Sequence, residues 1–350
     1  MHIDLLWEIN NMDNYNKLEI DRIDGWLDLD SFFIKRLGRP FRDEEDLFAN
    51  GLIDVENAGR SDKFWVLDEE GNRIALFKEP INRDSDEVYA ELIQEEICNI
   101  LDISTAHYDL AKFKGAKGVI SYSFLTDYDT YYSGFDLIAN FYESRLEHDP
   151  ELCELYGIDY ESDTIDDVTR KLNNLEDIWC ILEEVYKGHP NKQEIVSSVM
   201  DGLIGKLIKD VVAVDIDGHA DNWGMMNAGF APLFDGSRIL NLHKNVLIEP
   251  FITTETIEDK ELLFTVDNSD VKKPLEVLER FLNISSSEYR DLVREKVDTL
   301  KAHLEDISVS IEIRTEHQMP DYLKRYFVTT MSEHLDNISA IVDGKNKKNK

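Results

Sequence analysis

The sequence is short of cysteine, of positive charge and of long apolar runs, and each shortage closes off a class of protein. Its three cysteines, Cys98, Cys153 and Cys180, form no Cys-x-x-Cys pair and share no ligand spacing with histidine. That pattern argues against a disulfide framework and a structural zinc site, and for a reducing compartment, the cytoplasm. Lys and Arg number 38 against 72 Asp and Glu, a formal charge of -34. Such a surface repels phosphate backbones and anionic bilayers, so neither direct nucleic-acid binding nor membrane adhesion is expected. No apolar run approaches the ~20 residues of a membrane span. Asp4 and Glu8 stand where a signal peptide would carry basic residues. No Pro/Gly/Ser linker and no internal repeat interrupts the 350 residues, of which 42% are hydrophobic, enough for the core of two ordinary domains or one large bilobed one.

Residues 1–50 are acidic and irregular, an extension without an evident role, with one short helix expected over 30–37. From Gly51 the pattern sharpens into expected strands at 52–55, 63–67 and 73–78, joined by polar turns at 57–62 and 68–72. In the third strand a period of two places Ile74, Leu76 and Lys78 on one face, so a lysine ends an apolar row. Asp86 can cap a helix over 87–101 whose stripe is Tyr89, Ala90, Ile93, Ile97, Ile100 and Leu101, with Glu91 lying off it. Two further strands, 107–113 and 119–124, flank a turn at 114–118. Residues 51–125 thus read as a small sheet with one helix. Residues 126–340 read as a larger helical lobe, with periodic segments at 136–142, 163–186 and 194–212, an irregular stretch at 215–235, and amphipathic helices after Lys273. A basic tail closes the chain at 341–350.

The irregular stretch carries the strongest chemical signal. Asp217-Gly218-His219-Ala220-Asp221-Asn222 has the D-x-x-x-x-N spacing of a kinase catalytic loop, and Phe234-Asp235-Gly236 follows it, Asp235 standing 13 residues after Asn222. Transfer of a γ-phosphoryl group needs one carboxylate to orient and deprotonate a hydroxyl, and an amide oxygen and a second carboxylate to hold magnesium against the phosphates. Asp217, Asn222 and Asp235 supply those groups. Taken singly, a strand lysine is usually a snorkelling surface residue and a helix glutamate is usually solvated. Their order gives them meaning: Lys78 on the sheet, Glu91 on the helix, then the Asp/Asn loop and the last Asp follow the order of a bilobed kinase. The turn around Gly59 has one glycine where a glycine-rich loop has three, but its backbone amides with Arg60, Ser61 and Lys63 can cradle phosphate. His219 reads as a support for the loop, since Asp217 already serves as base. Tyr122, Phe124 and Trp223 can touch adenine, although aromatics of this kind are more often core; the strand-end position of Tyr122 and Phe124 suggests a hinge.

These motifs together resemble the HipA-like serine/threonine kinases of bacteria, over about residues 58–241. The match rests on Ala58-Gly59-Arg60-Ser61-Asp62-Lys63 as the phosphate loop and Phe77-Lys78-Glu79-Pro80 as the strand lysine. Glu91 with Ile97, Leu101 and Ile103 marks the helix. Asp217 to Asn222 forms the D-x-H-x-x-N loop, and Ala231-Pro232-Leu233-Phe234-Asp235 the metal motif. The resemblance implies an α/β (α+β) fold of protein-kinase type, with a small sheet-plus-helix N-lobe and a larger helical C-lobe, ATP and Mg2+ as cofactors, and a protein hydroxyl as acceptor. In that family the acceptor can be a translation factor or aminoacyl-tRNA synthetase, and many members are toxins held by an antitoxin or other regulatory partner. Two features depart from the pattern. The larger N-terminal subdomain of the best-known toxins is missing or reduced to residues 1–50, and Glu56 replaces a regulatory serine, with Ser61 nearby but out of register. Rival readings of the same residues are a small-molecule phosphotransferase, which shares the Asp/Asn loop, and a nucleotide-binding pseudokinase, which usually lacks at least one residue of the set.

Overall fold

The computed structural model describes residues 22–29, 33–36, 63–67, 73–80, 86–126, 128–242 and 257–344. The expected strand at 52–55, the turns at 57–62 and 68–72, Glu56 and most of the basic tail lie outside them. Strands β1 (Arg22–Ile23), β2 (Trp26–Asp28), β3 (Phe33–Arg36), β4 (Lys63–Leu67), β5 (Arg73–Lys78), β6 (Tyr108–Phe113) and β7 (Ala116–Tyr122) form one sheet in the order β1-β2-β6-β7-β5-β4-β3. All its pairings are antiparallel except β2 with β6. The sheet therefore takes strands from both sides of residue 51. Where a helix is expected over 30–37, β3 instead runs antiparallel to β4, with Phe33 opposite Leu67. Phe33 and Ile34 favour an extended chain, and β4 offers a row of backbone groups to pair with. The β6–β7 connection is tighter than expected. Lys114 and Gly115, both at positive φ (+49° and +78°), make the two-residue turn whose twist suits a hairpin.

Register sets the two faces of the sheet. Phe64, Phe77 and Ile120 lie opposite one another across β4, β5 and β7, and with Val66, Ala75, Ala111 and Tyr122 they form a core on one face. The other face carries Lys63, Lys78, Val119 and Leu110 in one row and packs against α1 (Glu87–Ile100). Every residue of α1 from Glu87 to Cys98 is buried.

The helical part contains β8 (Tyr131–Ser133), α2 (Gly134–Phe141), α3 (Pro150–Leu155), α4 (Ile165–Leu172), α5 (Leu175–Val185), α6 (Lys192–Ala213), β9 (Gly224–Met226) and β10 (Gly229–Phe230). It ends with α7 (Pro274–Ile284), α8 (Ser287–His303), α9 (Asp306–Thr315) and α10 (Asp321–Val342). The single periodic segment at 163–186 is two helices, because the Asn174 side chain accepts the Asp177 N–H and starts α5 afresh. Strands β8, β9 and β10 form a second small sheet, whose β9 follows directly on the Asp/Asn loop. One contiguous apolar cluster runs from Leu110 and Val119 through Ile93 and Ile97 of α1 to Leu207 of α6, Ile311 of α9 and Phe327 of α10. Burying each such side chain is worth about 1.5–3 kcal/mol. Sheet and helices thus share a core, which fixes α1 between them. Among the described residues no helix is long and apolar enough to cross a membrane.

Candidate active site

Lys78 stands at the end of β5 and Glu91 one turn into α1. The lysine Nζ donates to Glu91 Oε1 at 2.9 Å and to Asp235 Oδ1 at 2.5 Å. The second Glu91 oxygen accepts the backbone N–H of Gly236 at 2.7 Å, so the residue after Asp235 is tied to the same glutamate. Glu91 is only 1% exposed; although it lies off the apolar stripe, it is buried because α1 is enclosed from Glu87 to Cys98, and it forms the expected pair with Lys78. Lys63 approaches Asp235 Oδ2 at 3.6 Å from the neighbouring strand. Burial opposes ionisation of Asp235, but the charges of Lys78 and Lys63 outweigh it and hold its carboxyl well below the usual range. Burial likewise opposes charge on Lys78, and Asp235 and Glu91 together raise its pKa. Glu91 is pushed up, because burial outweighs the pull of Lys78.

Asp235 adopts a left-handed backbone, φ +57°, an uncommon state that Asp tolerates better than most residues. Its N–H donates to the Tyr108 hydroxyl at 3.0 Å, and Leu233 is pinned by hydrogen bonds to Ser104, Thr105 and Ala106. Gly236 has no room for a side chain, since a Cβ there would overlap the amide of buried Gln94. The segment around Asp235 is thereby held against the α1–β6 connection.

The Asp/Asn loop leaves α6 through Val214, a β-branched residue at φ +49°, a conformation kept only where surrounding contacts enforce it. Beneath the loop lies a buried ion network. Lys209 Nζ contacts Asp215 Oδ2 at 2.5 Å and Asp210 Oδ1 at 2.6 Å, and Lys206 pairs with Asp210. Asp215 Oδ1 accepts the Asp217 N–H at 3.0 Å. Gly218 lies directly over the Lys206–Asp210 pair, which a Cβ would crowd at 2.8 Å. Asn222 Nδ2 donates to the Asp217 carbonyl at 2.6 Å, which turns its amide oxygen to other use. The Asp217 carboxylate is 3.3 Å from Arg238 Nε. Burial raises its pKa, with Arg238 and then His219 pulling the other way.

The structure brings together Lys63, Lys78, Glu91 and Asp235. It places Asp217 where its charge and that of Asp235 act on one another, and ties Asn222 to the backbone of Asp217. His219 lies 3.8 Å from Asp217 and 3.5 Å from Asp221, a half-exposed neighbour of both. Gly59, Arg60 and Ser61 fall outside the described residues. Tyr122 does not face this site. It belongs to the opposite face of the sheet, buried and stacked on His107 at 5.2 Å; in a strand, one residue of offset reverses the face. Trp223 is likewise core, fully buried with its indole N–H on Asn173 Oδ1 at 3.0 Å. Phe124 is half-buried against Phe234 and Tyr131, at 6.0 and 6.4 Å, at the junction where a hinge was expected. Sequence reasoning missed Tyr108, Asp215, Lys209 and Arg238, which carry no motif of their own. The signal of the network in the sequence was Lys206, Lys209 and Asp210 standing among apolar residues in the second half of α6.

The donor set suits a hard cation. A carboxylate (Asp235) and an amide oxygen (Asn222) match the oxygen ligands of magnesium, which commonly takes one or two protein groups and completes its shell with phosphates and water. Among the described residues no group of three or more His, Cys, Asp or Glu side chains is placed to hold a metal without such help.

No protein-family model and no curated protein matches the sequence. Solved structures do resemble it in fold. The proinflammatory kinase CtkA of Helicobacter pylori matches with a TM-score of 0.60 at 14% identity, over 91% of this chain and 98% of that one. HipA of Shewanella oneidensis MR-1, solved with HipB and its operator DNA, matches with a TM-score of 0.47 at 10% identity, over 90% of this chain and 74% of that one. The chain therefore shares the fold of the CtkA structure, a mixed α/β architecture of sheet and helices such as its motifs imply.

Proposed function

We propose that this chain is an ATP- and magnesium-dependent serine/threonine protein kinase. The observation that carries the reading is the assembled trio of Lys78, Glu91 and Asp235, joined at 2.9 and 2.5 Å from three separate elements. Three buried or half-buried charges converging at one point are costly to maintain for structure alone, whereas phosphoryl transfer requires such a set. Lys78, oriented by Glu91, binds the α- and β-phosphates, with Lys63 adding positive charge beside it. Asp217 receives the acceptor hydroxyl's proton as the new O–P bond forms and the bond to the ADP oxygen breaks. Asn222 and Asp235 would hold magnesium, which when bound neutralises phosphate charge and aligns the γ-phosphate. Arg238, beside Asp217, places a fixed cation next to the base and fits an accumulating negative charge there.

Lys78→Met and Glu91→Gln are each expected to lower turnover on the order of 10²-fold, the usual cost of one preorganised electrostatic contact. Radiolabel transfer to a protein acceptor, run beside circular dichroism, measures this. Full activity in Lys78→Met would remove the phosphate-anchor role. Acceptors are identified by comparing the phosphoproteomes of cells expressing the parent chain and Asp217→Ala. Sites on serine and threonine that depend on Asp217 support the proposal, and identical phosphoproteomes overturn it.

A further inference from the structure

Glu91 is not the only acid on α1. Glu87, Glu91 and Glu95 recur every fourth residue, with Glu96 beside them, and all four are buried. Like charges at this spacing repel along a helix, and buried carboxylates need a partner. Lys78 and the Gly236 N–H satisfy Glu91 on the side of the site. One turn further along the same face, Glu95, with Glu96 beside it, is satisfied by a residue more than two hundred positions later, Arg314 of α9.

Arg314 is 13% exposed. Its Nη1 donates to Glu95 Oε2 at 2.5 Å and to the Tyr108 carbonyl at 3.2 Å, and also lies 3.0 Å from His107 Nδ1. Its Nη2 lies 3.2 Å from Glu96 Oε1, while Ser310, one turn earlier on α9, donates to Glu96 Oε2 at 2.9 Å. Glu95 also meets His107 Nδ1 at 2.5 Å and accepts the Tyr108 N–H at 3.0 Å. The carbonyls of Arg314 and Thr315 accept from Arg22, whose guanidinium pairs with Asp109 of β6. One turn of α9 thus grips α1, β6 and the β1 edge of the sheet together.

We propose that Arg314 is a positioning residue of the site: through Glu95 and Glu96 it fixes the rotation and depth of α1, and so keeps Glu91 against Lys78. The proposal rests on the kinase reading, in which the Lys–Glu pair must be in place for transfer and movement of this helix controls activity. Here the helix is held, one turn beyond Glu91, by α9 of the chain's own C-terminal part, so the pair forms without a modification to assemble it. Lysine cannot replace the arginine fully, because only a planar fork reaches both glutamates at once.

The test uses the full chain and the variants Arg314→Met and Arg314→Lys, with Arg280→Met as control. Arg280 pairs with Asp267 at 2.6 Å in the helical part and makes no contact with α1 among the described interactions. The first measurement is the rate at which acetic anhydride acetylates Lys78 in the absence of nucleotide, read by peptide mass spectrometry. It requires no catalytic activity. The second is kcat and KM for ATP in the transfer assay, with thermal unfolding followed in parallel. Arg314→Met is expected to label severalfold faster at Lys78 and to lose most of kcat, Arg314→Lys to fall between it and the parent, and Arg280→Met to match the parent in both. A merely structural role lowers the unfolding temperature without moving Lys78 labelling, and that result overturns the proposal. If Arg314→Met does not fold, Arg314→Lys decides: faster labelling supports the proposal, and the parent's rate overturns it. A labelling difference in a parent chain that transfers no phosphate sinks the kinase reading and leaves the positioning of Lys78 standing.

Discussion

Asp217→Ala is expected to bind a non-hydrolysable ATP analogue about as tightly as the parent while transfer falls by about 10²–10⁴-fold, the range a positioned base contributes. Asp235→Asn is expected to do the reverse, losing the magnesium dependence of binding. The asparagine substitution is the informative one. Asp235 has a left-handed backbone, which asparagine tolerates, and its side chain is the anion facing Lys78 and Lys63. An amide retains the shape and an oxygen but removes the charge, so the variant separates ligand chemistry from backbone strain. Among the described residues the Asp217 carboxylate pairs with no lysine, and its charged neighbours are Arg238 and His219. Truncating it therefore leaves the phosphate-binding lysines in place. Calorimetry with and without magnesium, beside the transfer assay, distinguishes the two roles. If both variants bind and transfer like the parent, the assignment of these carboxylates is wrong.

The site was legible where chemistry demands particular residues at particular spacings. Lys78, Glu91 and Asp235, which the fold brings together, could be singled out because the phosphoryl-transfer chemistry proposed above admits few alternative sets, and β5 because three residues of alternating burial suffice to define a face. What escaped depended on partners distant in sequence. The apolar stripe read for α1 implied a free side, yet the helix has none from Glu87 to Cys98: the sheet, α6 and α9 enclose it. Tyr122 was assigned to the nucleotide although register places it with Phe77 and Ala75 on the opposite face. Strands of two to four residues, such as β1 and β3, are too short for periodicity to register. Arg314 belongs to no motif, and only the fold reveals that it meets Glu95.

Lys209→Met is expected to destabilise the protein by about 3–5 kcal/mol, the usual cost of removing one partner from a buried ion pair, against a total stability of about 5–15 kcal/mol for a typical domain. Lys206, Lys209, Asp210 and Asp215 are all at most 3% exposed, so no water replaces a lost partner. Two cations balance two anions, and without Lys209 only Lys206 remains against both carboxylates. The damage should reach the site as well, because Asp215 positions the Asp217 N–H and Lys209 Nζ also lies 3.4 Å from Gln94 of α1. Asp215→Asn should be milder, since its amide oxygen still accepts that N–H. The pH dependence has a definite sign. Burial opposes ionisation of Asp215, but Lys209 and then Lys206 outweigh it and depress its pKa. In the parent this stabilisation is fully present above the ordinary aspartate value of about 3.9 and is lost as pH falls through the depressed one. In Lys209→Met the carboxyl loses its main partner and takes up its proton at higher pH, which relieves the variant. The stability gap between parent and variant should therefore narrow as pH is lowered from 7 toward the carboxylate range. Urea unfolding of both proteins across that range measures the gap. A variant that unfolds with the parent at neutral pH would show that the network beneath the Asp/Asn loop contributes neither stability nor support to Asp217.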